Sequence, residues 1–398
     1  MKASSTFGGV ILSFFLLISS RGYANEPQVR VRLFEKYDRV VVTGDVTVTT
    51  DRTLLGSRLT IENQGRNYTW SLEQISGKII YLEDFSRPLS FSGKNLIYNN
   101  LKLPQKVTVV PILQSSGKFS RFIVLGVLKL ESYLTGVLPG EMPLSWPLEA
   151  LKAQLVTART YTLKQIENRR NEIYDVDSTV RDQLFIYDAP MTDEKKKNLN
   201  LALEATRGLV LSNTKGDVVL ANYHADCGGQ TELAKNVWNY GVTGVAVSDY
   251  TCAFRPSGQW TFRISTQRLL NKIRSEVTAP SSSKLASIEL MSSTVSGRVN
   301  VLGFVFADGS RSEIMATRLR ELLGYSLLKS TRFEAFLLGD QITFTGRGFG
   351  HGVGLCQWGA RDLAKSGKSF REILAHYFPS LKILSAASAL RTQSLQQQ

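Results

Sequence analysis

Short bursts of β-branched and apolar residues, separated by polar ones, dominate the first third of the chain. Val29-Arg-Val-Arg-Leu, Arg39-Val-Val-Val-Thr and Val46-Thr-Val-Thr-Thr are the clearest examples. Because successive side chains of a strand point to opposite faces, this pattern predicts strands with one buried face. Turn sequences at Gly44-Asp45 and Ser92-Gly93-Lys94 separate the bursts. Residues 25–115 are therefore predicted to be β-rich, as a small barrel or sandwich.

The apolar spacing becomes helical further along the chain. Apolar and small residues recur every three or four positions in one segment: Leu148, Leu151, Leu155, Ala158 and Thr162. This spacing predicts an amphipathic helix that begins near Pro147. A second helix is predicted over 192–206 and ends before Gly208. Strand-like runs at 209–212 and 218–225 flank a Lys215-Gly216-Asp217 turn and predict a hairpin.

Mixed signals follow between residues 260 and 340. Helical spacing covers 266–274 and 316–323, and strand patterns cover 287–291 and 298–306. The predicted fold class is therefore α+β, a mixed α/β core with an inserted α+β subdomain, preceded by a β-rich N-terminal domain. The predicted divisions are a signal peptide (1–24), the β-rich region (25–115), the core (116–259 and 341–385), the inserted subdomain (260–340) and a disordered tail (386–398).

The N-terminus has the pattern of an export signal. Lys2 supplies positive charge, Val10–Ile18 is apolar but too short to span a bilayer, and Gly22-Tyr-Ala24 offers a cleavage site. We expect cleavage after Ala24, with an uncleaved anchor as the alternative. No later segment is long and apolar enough to cross a membrane, so we expect a periplasmic or otherwise extracytoplasmic protein; the family resemblance described below implies that it is associated with the cell wall.

The formal net charge is +14, and removal of Lys2 and Arg21, the only charged residues before Asn25, leaves 14 − 2 = +12. A basic exported chain favours an anionic partner. No finger, ribbon or basic-helix motif supports nucleic acid binding. Glycan strands stripped of their peptides carry a carboxylate on each muramic acid and fit the charge. Charge that only maintains solubility is the alternative.

Residues 138–162, LPGEMPLSWPLEALKAQLVTARTYT, place one acidic side chain between turn-forming residues. Gly140 permits a sharp bend, and Pro143 stiffens the exit from it. Glu141 is therefore predicted to lie in a turn near the positive end of the following helix. A carboxyl group held on a rigid rim suits general acid–base catalysis. The alternative is that Glu141 only caps or solvates the helix entrance.

Glycine occupies every second position from Gly346 to Gly354, in GRGFGHGVGLCQWGA. Such a run indicates close backbone approach or repeated positive φ angles. A nucleotide phosphate loop is not supported, because the expected lysine and ribose-binding acid are absent. A loop that merely lets a helix pack tightly is the other interpretation.

The chain has three cysteines, Cys227, Cys252 and Cys356. In an oxidising compartment, a Cys227–Cys252 disulfide would close a loop of about 26 residues and stabilise by roughly 3 kcal/mol. Pairing with Cys356 stays open. His224 with Cys227 and Cys252 could form a partial zinc site, or Cys227 a thiol nucleophile, but a fourth ligand is lacking. We therefore predict no metal and no cofactor.

Three segments of the chain, taken in order, resemble the stage II sporulation protein D family, which includes the LytB-type amidase enhancers. They are the segment around Glu141, the Gly228-Gly-Gln-Thr-Glu232 turn and the glycine run, and the resemblance spans about 117–381. It implies a lytic transglycosylase with Glu141 as its acid/base. The implied or candidate substrate-binding residues are Arg159, Tyr161, Gln183, His224, Glu232, Trp238, His351 and Gln357. Trp238 could equally be a core residue.

Some members of that family carry a cysteine-rich zinc loop after the first helix. The corresponding segment here, Asp175–Gln183, has no cysteine, so metal is not expected there. Ser369 and Glu372 form a predicted capping box for a last helix, whose His376 we place outside the site.

The reaction that the resemblance implies cleaves MurNAc–GlcNAc glycan stripped of its peptides and leaves 1,6-anhydro-MurNAc ends. The alternative is a noncatalytic wall-binding protein that enhances an N-acetylmuramoyl-L-alanine amidase. A thiol hydrolase using Cys227 is a third hypothesis.

Overall fold

The computed structural model describes residues 26–49, 53–63, 68–82, 88–114, 119–238, 249, 252, 255–277 and 284–389. The predicted signal peptide and most of the predicted tail lie outside the described residues. The first residues of the predicted tail are ordered instead: 386–389 are helical, and Ala386 and Ala389 are buried in the core.

The β-rich region is one long sheet that continues into the core. Its strands are β1 (Gln28–Lys36), β2 (Arg39–Thr49), β3 (Thr53–Asn63), β4 (Tyr68–Glu73), β5 (Ile79–Leu82), β6 (Leu89–Tyr98), β7 (Leu101–Lys102), β8 (Lys106–Leu113), β9 (Phe119–Lys129) and β10 (Val176–Asp177). The strand order is β10-β1-β9-β8-β6-β2-β3-β4-β5, with β7 on β6. Alternate positions such as Val40, Val42, Val46 and Val48 are buried, as the alternation predicted.

Helices of the core pack on the β10–β1–β9 end of this sheet. They are α1 (Leu130–Glu141), α2 (Leu148–Asn168), α3 (Asp193–Thr206), α6 (Gln357–Lys365) and α7 (Phe370–Tyr377). α2 is central, since α1, α3, α6 and α7 all contact it. The predicted capping box of Ser369 and Glu372 is confirmed at the start of α7. No helix within the described residues combines the length and apolar character needed to span a bilayer.

The predicted hairpin at 209–225 is wrong. β11 (Leu209–Ser212) pairs antiparallel with the distant β20 (Lys382–Ser385), and the intervening turn retains only a single bridge to Val218. β12 (Tyr223–His224) instead pairs parallel with β19 (Leu355–Cys356). Local turn chemistry could not reveal these long-range partners.

The inserted subdomain has its own hydrophobic core. Its elements are β13 (Gln259–Ser265), α4 (Thr266–Lys272), β14 (Leu285–Ser293), β15 (Val299–Phe306), β16 (Arg311–Met315), α5 (Ala316–Leu323), β17 (Phe333–Leu338) and β18 (Gln341–Arg347), and short 3-10 turns cover Ala234–Asn236 and Pro256–Gly258. β13 pairs with β18, so the insertion leaves and re-enters the core side by side. The combination of sheets and helices confirms the α+β class.

Candidate active site

Glu141 is the last residue of α1, where the sequence predicted a turn. Helix α1 therefore runs through Pro139 and is capped by Met142, which puts the carboxyl group at the negative end of a helix. A Cβ atom on Gly140 would lie 2.4 Å from the carbonyl oxygen of Leu184. The absent side chain thus lets the 184 backbone approach the end of α1. The Glu141 side chain remains partly exposed.

Each carboxylate oxygen of Glu141 accepts one hydrogen bond. The backbone N–H of Leu184 donates to Oε1 at 2.7 Å, and the Gln357 amide Nε2 donates to Oε2 at 3.2 Å. Gln357 is the first residue of α6, 216 positions away in sequence. Two elements that are remote in the chain therefore fix the orientation of one acid.

The pKa of Glu141 is raised from its ordinary value. Burial of the carboxyl group is the main cause, and the hydrogen bonds from Leu184 and Gln357 and the nearby Tyr223 side chain oppose it. The Tyr223 hydroxyl is itself buried without a partner in regular hydrogen-bond geometry. The carbonyl groups at the end of α1 act in the same direction as burial. Glu141 thus retains its proton to higher pH than an exposed glutamate, as a general acid requires.

His351 belongs to a small cluster of rings with Trp238 and His224. Its ring centroid is 4.8 Å from that of Trp238 and 5.7 Å from that of His224. His351 Nδ1 accepts a hydrogen bond from the Val353 N–H at 3.0 Å. Burial and the neighbouring His224 and arginines hold the pKa of His351 well below its usual value, so the ring is neutral at neutral pH. Its connection to Glu141 runs through Tyr223, the strand neighbour of His224.

The glycine run wraps closely around β12. Gly348, Gly350, Gly352 and Gly354 all have positive φ angles, as predicted from the alternation. A Cβ atom on Gly354 would lie 2.0 Å from the Asn222 carbonyl oxygen, so a larger residue would push the loop off the strand. This close packing fixes the start of the following helix, where Gln357 contacts Glu141.

Comparison with known proteins matches residues 119–212 to the family model described as Stage II sporulation protein. An uncharacterized protein of Brachyspira hyodysenteriae is 33% identical over 268 residues, which is 66% of this chain and 68% of that protein. The stage II sporulation protein D of Bacillus subtilis is 29% identical over 276 residues, 66% of this chain and 76% of that protein. The chain belongs to the stage II sporulation protein D family.

The amidase enhancer of Bacillus subtilis is 30% identical over 297 residues. That alignment covers 63% of this chain but only 40% of the amidase enhancer. The matched family region contains Glu141 and α2 but not Gln357 or His351. The contact between Gln357 and Glu141 therefore joins the matched family region to a separate segment.

Arg159 is placed where it cannot contact a substrate. Its side chain has no exposed surface, and it forms a two-pronged ion pair with Glu131, with both N–O distances 2.8 Å. The guanidinium also donates to the Leu209 carbonyl oxygen at 3.2 Å. The prediction that Arg159 binds substrate is therefore wrong. Arg159 instead links α2 to α1 and β11.

Gln183 and Tyr161 form a buried layer behind Glu141. Gln183 is fully buried and accepts hydrogen bonds from the Tyr133 hydroxyl at 3.1 Å and from Thr162 at 2.7 Å. The Tyr161 hydroxyl donates to Asp182 at 2.7 Å. The predicted substrate contacts of both residues are therefore replaced by contacts within the protein. They hold the 182–184 loop, whose backbone N–H reaches the catalytic candidate.

Glu232 is also fully engaged within the protein. Its carboxylate accepts hydrogen bonds from Ser296 at 2.6 Å, from the Asn236 amide at 2.8 Å and from Thr294 at 2.5 Å. Only 2% of its surface is exposed, so it ties the glycine turn to the inserted subdomain instead of binding substrate. His224 is likewise buried, with Nδ1 3.1 Å from the Val353 carbonyl oxygen.

The sequence reasoning missed Leu184, Tyr133 and Tyr223. A backbone donor such as the Leu184 N–H carries no signature in the side-chain sequence. Tyr223 precedes His224 on the strand and could have been found by asking which face of that strand points away from His224. The negative charge of Glu141 contributes to the raised pKa of both tyrosines, which places their rings beside the acid.

The carboxylates of the 175–182 segment pair with arginines. Asp175 pairs with Arg30 at 2.6 Å, and Asp177 pairs with Arg32. Asp182 pairs with Arg169 at 2.6 Å. These ion pairs anchor the segment to β1 and to the end of α2. The segment is thereby held in place by charge pairs between protein groups.

The predicted Cys227–Cys252 disulfide is not formed in the structure. Cys227, Cys252 and Cys356 are all free thiols, and all are buried. A buried Cys227 also lacks the accessibility that a thiol nucleophile needs. The three sulfur atoms lie together, at the base of the loop that carries His351 and Gln357.

Proposed function

We propose that this protein is a lytic transglycosylase that cleaves peptidoglycan glycan strands with Glu141 as its single acid/base. The observation that carries the proposal is the Glu141 carboxyl group, which belongs to a partly exposed residue, has a raised pKa and accepts one hydrogen bond on each oxygen. Membership in a family with a sporulation protein and an amidase enhancer supports an action on the cell wall.

The proposed reaction uses Glu141 twice. Protonated Glu141 first donates its proton to the oxygen between MurNAc and GlcNAc, and the C1–O bond breaks as oxocarbenium character develops. The resulting carboxylate then accepts the proton of the muramic C6 hydroxyl, whose oxygen forms a bond to C1. The products are a 1,6-anhydro-MurNAc end and a free GlcNAc C4 hydroxyl.

One carboxyl group suffices because the nucleophile belongs to the sugar itself. Hydrolytic glycosidases use a second carboxylate for water or for a covalent intermediate. Among the described residues, no other carboxylate contributes to the raised pKa of Glu141. The site is thus suited to a reaction in which one carboxyl group donates a proton to the glycosidic oxygen and then accepts a proton from the C6 hydroxyl.

Trp238 and His351 are proposed as the sugar platform next to the acid. Both side chains keep partial exposure and their rings lie 4.8 Å apart. An aromatic face can pack against the C–H face of a sugar ring, and a neutral imidazole can hydrogen-bond a hydroxyl group. The formal charge of +14 favours an anionic polymer such as peptide-stripped glycan.

The second candidate is a noncatalytic wall-binding protein that stimulates an amidase, which the name of the Bacillus subtilis relative favours. The two functions predict different results when the purified chain is incubated with peptide-stripped glycan. Mass spectrometry should detect new anhydro-muramic ends if the chain is an enzyme. Binding without new ends, combined with faster amide cleavage when an amidase is added, would favour the enhancer.

The rate of cleavage should fall as pH rises through the pKa of Glu141. The first step needs the protonated carboxyl group, so the raised pKa extends activity to higher pH than an ordinary glutamate allows. The measurement is the pH profile of kcat/KM for formation of anhydro ends. A profile that only rises with pH over this range would mean that Glu141 does not act as the acid.

Replacement of Gln357 by alanine should move that falling limb to higher pH. The Gln357 amide favours the ionised form of Glu141, so its loss raises the pKa of the acid further. Gln357→Glu should produce a shift in the same direction, because it removes the donor and adds a negative charge. An unchanged pH profile in both variants would show that the hydrogen bond has no influence on the acid during turnover.

A further inference from the structure

The three cysteines of this chain meet at one buried point. Their sulfur atoms and a carboxylate oxygen of Asp226 all lie within 4.8 Å of one another. Cys227 and Asp226 follow β12, Cys356 ends β19, and Cys252 belongs to the connection toward the inserted subdomain. Three separate parts of the chain thus converge on four potential ligands. None of these side chains takes part in the proposed glycan cleavage.

The spacing of the sulfur atoms fits a tetrahedral metal. Cys252 Sγ and Cys356 Sγ are 3.4 Å apart. A tetrahedral zinc site with Zn–S bonds of about 2.3 Å places its sulfur atoms about 3.8 Å apart. Small side-chain movements would bring the observed arrangement to that geometry.

Hydrogen-bond donors surround the cluster. The N–H groups of Gly229 and Gly359 point to the sulfur atoms of Cys227 and Cys356, at 3.3 and 3.4 Å. The Cys227 N–H points to Cys356 Sγ at 3.3 Å. Donors of this kind stabilise thiolates that bind a metal and orient them toward it.

Two arginines supply positive charge next to the cluster. Arg255 donates to Asp226 at 3.0 Å and to Cys252 Sγ at 3.4 Å. Arg298 is buried, donates to the Cys227 carbonyl oxygen at 3.0 Å, and leaves its Nε and Nη1 atoms without partners. Three thiolates, one carboxylate and a divalent ion carry a net charge of −2. The two guanidinium groups offset only part of this negative charge, because Arg255 also pairs with Asp362 and the Asp249 carboxylate lies 3.3 Å from Cys252 Sγ.

We propose that Cys227, Cys252, Cys356 and Asp226 bind one zinc ion at a structural site. Thiolate ligands select zinc over magnesium or calcium, and four protein ligands leave no open position for catalysis. The site is distinct from the 175–182 segment, whose carboxylates are paired with arginines. Zinc there would fix Cys356, and the next residue, Gln357, holds Glu141. The ion would thereby stabilise the position of the residue that hydrogen-bonds to Glu141.

The direct test is the metal content of the purified full chain, prepared without a histidine tag and without added reductant, so that any disulfide is preserved. After supply of zinc and dialysis, elemental analysis should find one zinc per chain. Because the chain has only three cysteines, thiol titration after denaturation with a chelator should count three. A count of one thiol would show a disulfide and overturn the proposal, as would a lack of zinc or the presence of iron.

Cobalt provides a second measurement that does not depend on any variant. Cobalt added to the metal-free chain should give the intense absorption of a tetrahedral thiolate complex, and zinc should displace it. Cys252→Ser should weaken zinc binding more than tenfold, since even changes outside the ligand shell cost about 10–100-fold. Asp226→Asn should also weaken it, and His376→Asn, the control, should not. Zinc binding that is equal in Cys252→Ser and the unaltered chain would contradict the site.

The zinc measurements are independent of the proposed enzymatic function. A chain that binds zinc but cleaves no glycan would retain the site and refute the transglycosylase. A chain that cleaves glycan but binds no zinc would support the transglycosylase and refute the zinc site.

Discussion

Glu141→Gln is expected to retain glycan binding and to lose formation of anhydro ends by about a hundredfold to ten-thousandfold, the usual contribution of acid–base catalysis. Glutamine keeps the shape of the side chain and can still accept the Leu184 N–H, but it has no proton to donate to the glycosidic oxygen. Since the same group serves both steps, no other residue compensates. The measurement is the rate of anhydro-end formation at saturating glycan.

Glu204→Gln is the matched control for this experiment. Glu204 is exposed on α3 in the same domain, and the substitution is chemically identical. The control should cleave glycan at the unaltered rate. Full turnover by Glu141→Gln would remove Glu141 as the catalyst, whereas equal losses in both variants would point to a preparation effect.

Arg159→Met is expected to lower the free energy of unfolding by about 3–5 kcal/mol, because it leaves Glu131 without its partner in a buried position. Arg159 is fully buried and Glu131 is 8% exposed. Methionine approximates the volume of the arginine stem, so most of the loss would come from the unpaired carboxylate. Chemical denaturation of the purified chain measures the effect.

The double variant Glu131→Leu/Arg159→Met separates the ion pair from packing. It should recover most of the lost stability, since replacing a buried pair by apolar residues is often neutral. Arg318→Met is the surface control, because Arg318 forms an exposed pair with Glu276 and its loss should change little. A double variant as unstable as the single one would mean that Arg159 acts through packing or through its bond to Leu209.

Periodicity predicted the local elements well and the position of the acid less well. The helices at 192–206 and 316–323 and the capping box at Ser369 follow from side-chain spacing and caps, which are local signals. Glu141 was expected in a turn because Gly140 permits a sharp bend and Pro143 stiffens the exit from it. Packing of Leu134, Val137 and Leu138 in the core favours the helical conformation up to residue 141.

Long-range contacts limited what the sequence could reveal about the site. The pairing of β12 with β19 spans more than a hundred residues and decides that Gln357 meets Glu141. Arg159 had the features of a substrate ligand, but its acidic partner Glu131 lies on another helix. The sequence suggested only a partial zinc site of His224, Cys227 and Cys252, without a fourth ligand. Only the fold shows that Asp226 lies beside the cysteines and that Cys252 meets Cys356, which is 104 residues away in the sequence.

The most direct test of the central claim is glycan cleavage by the purified chain in water enriched in heavy oxygen. A lytic transglycosylase closes the muramic ring internally, so its products should be one water lighter than hydrolysis products and should contain no heavy oxygen at C1. Incorporation of the label at the new end would show that water attacks C1, and would contradict a reaction driven by Glu141 alone.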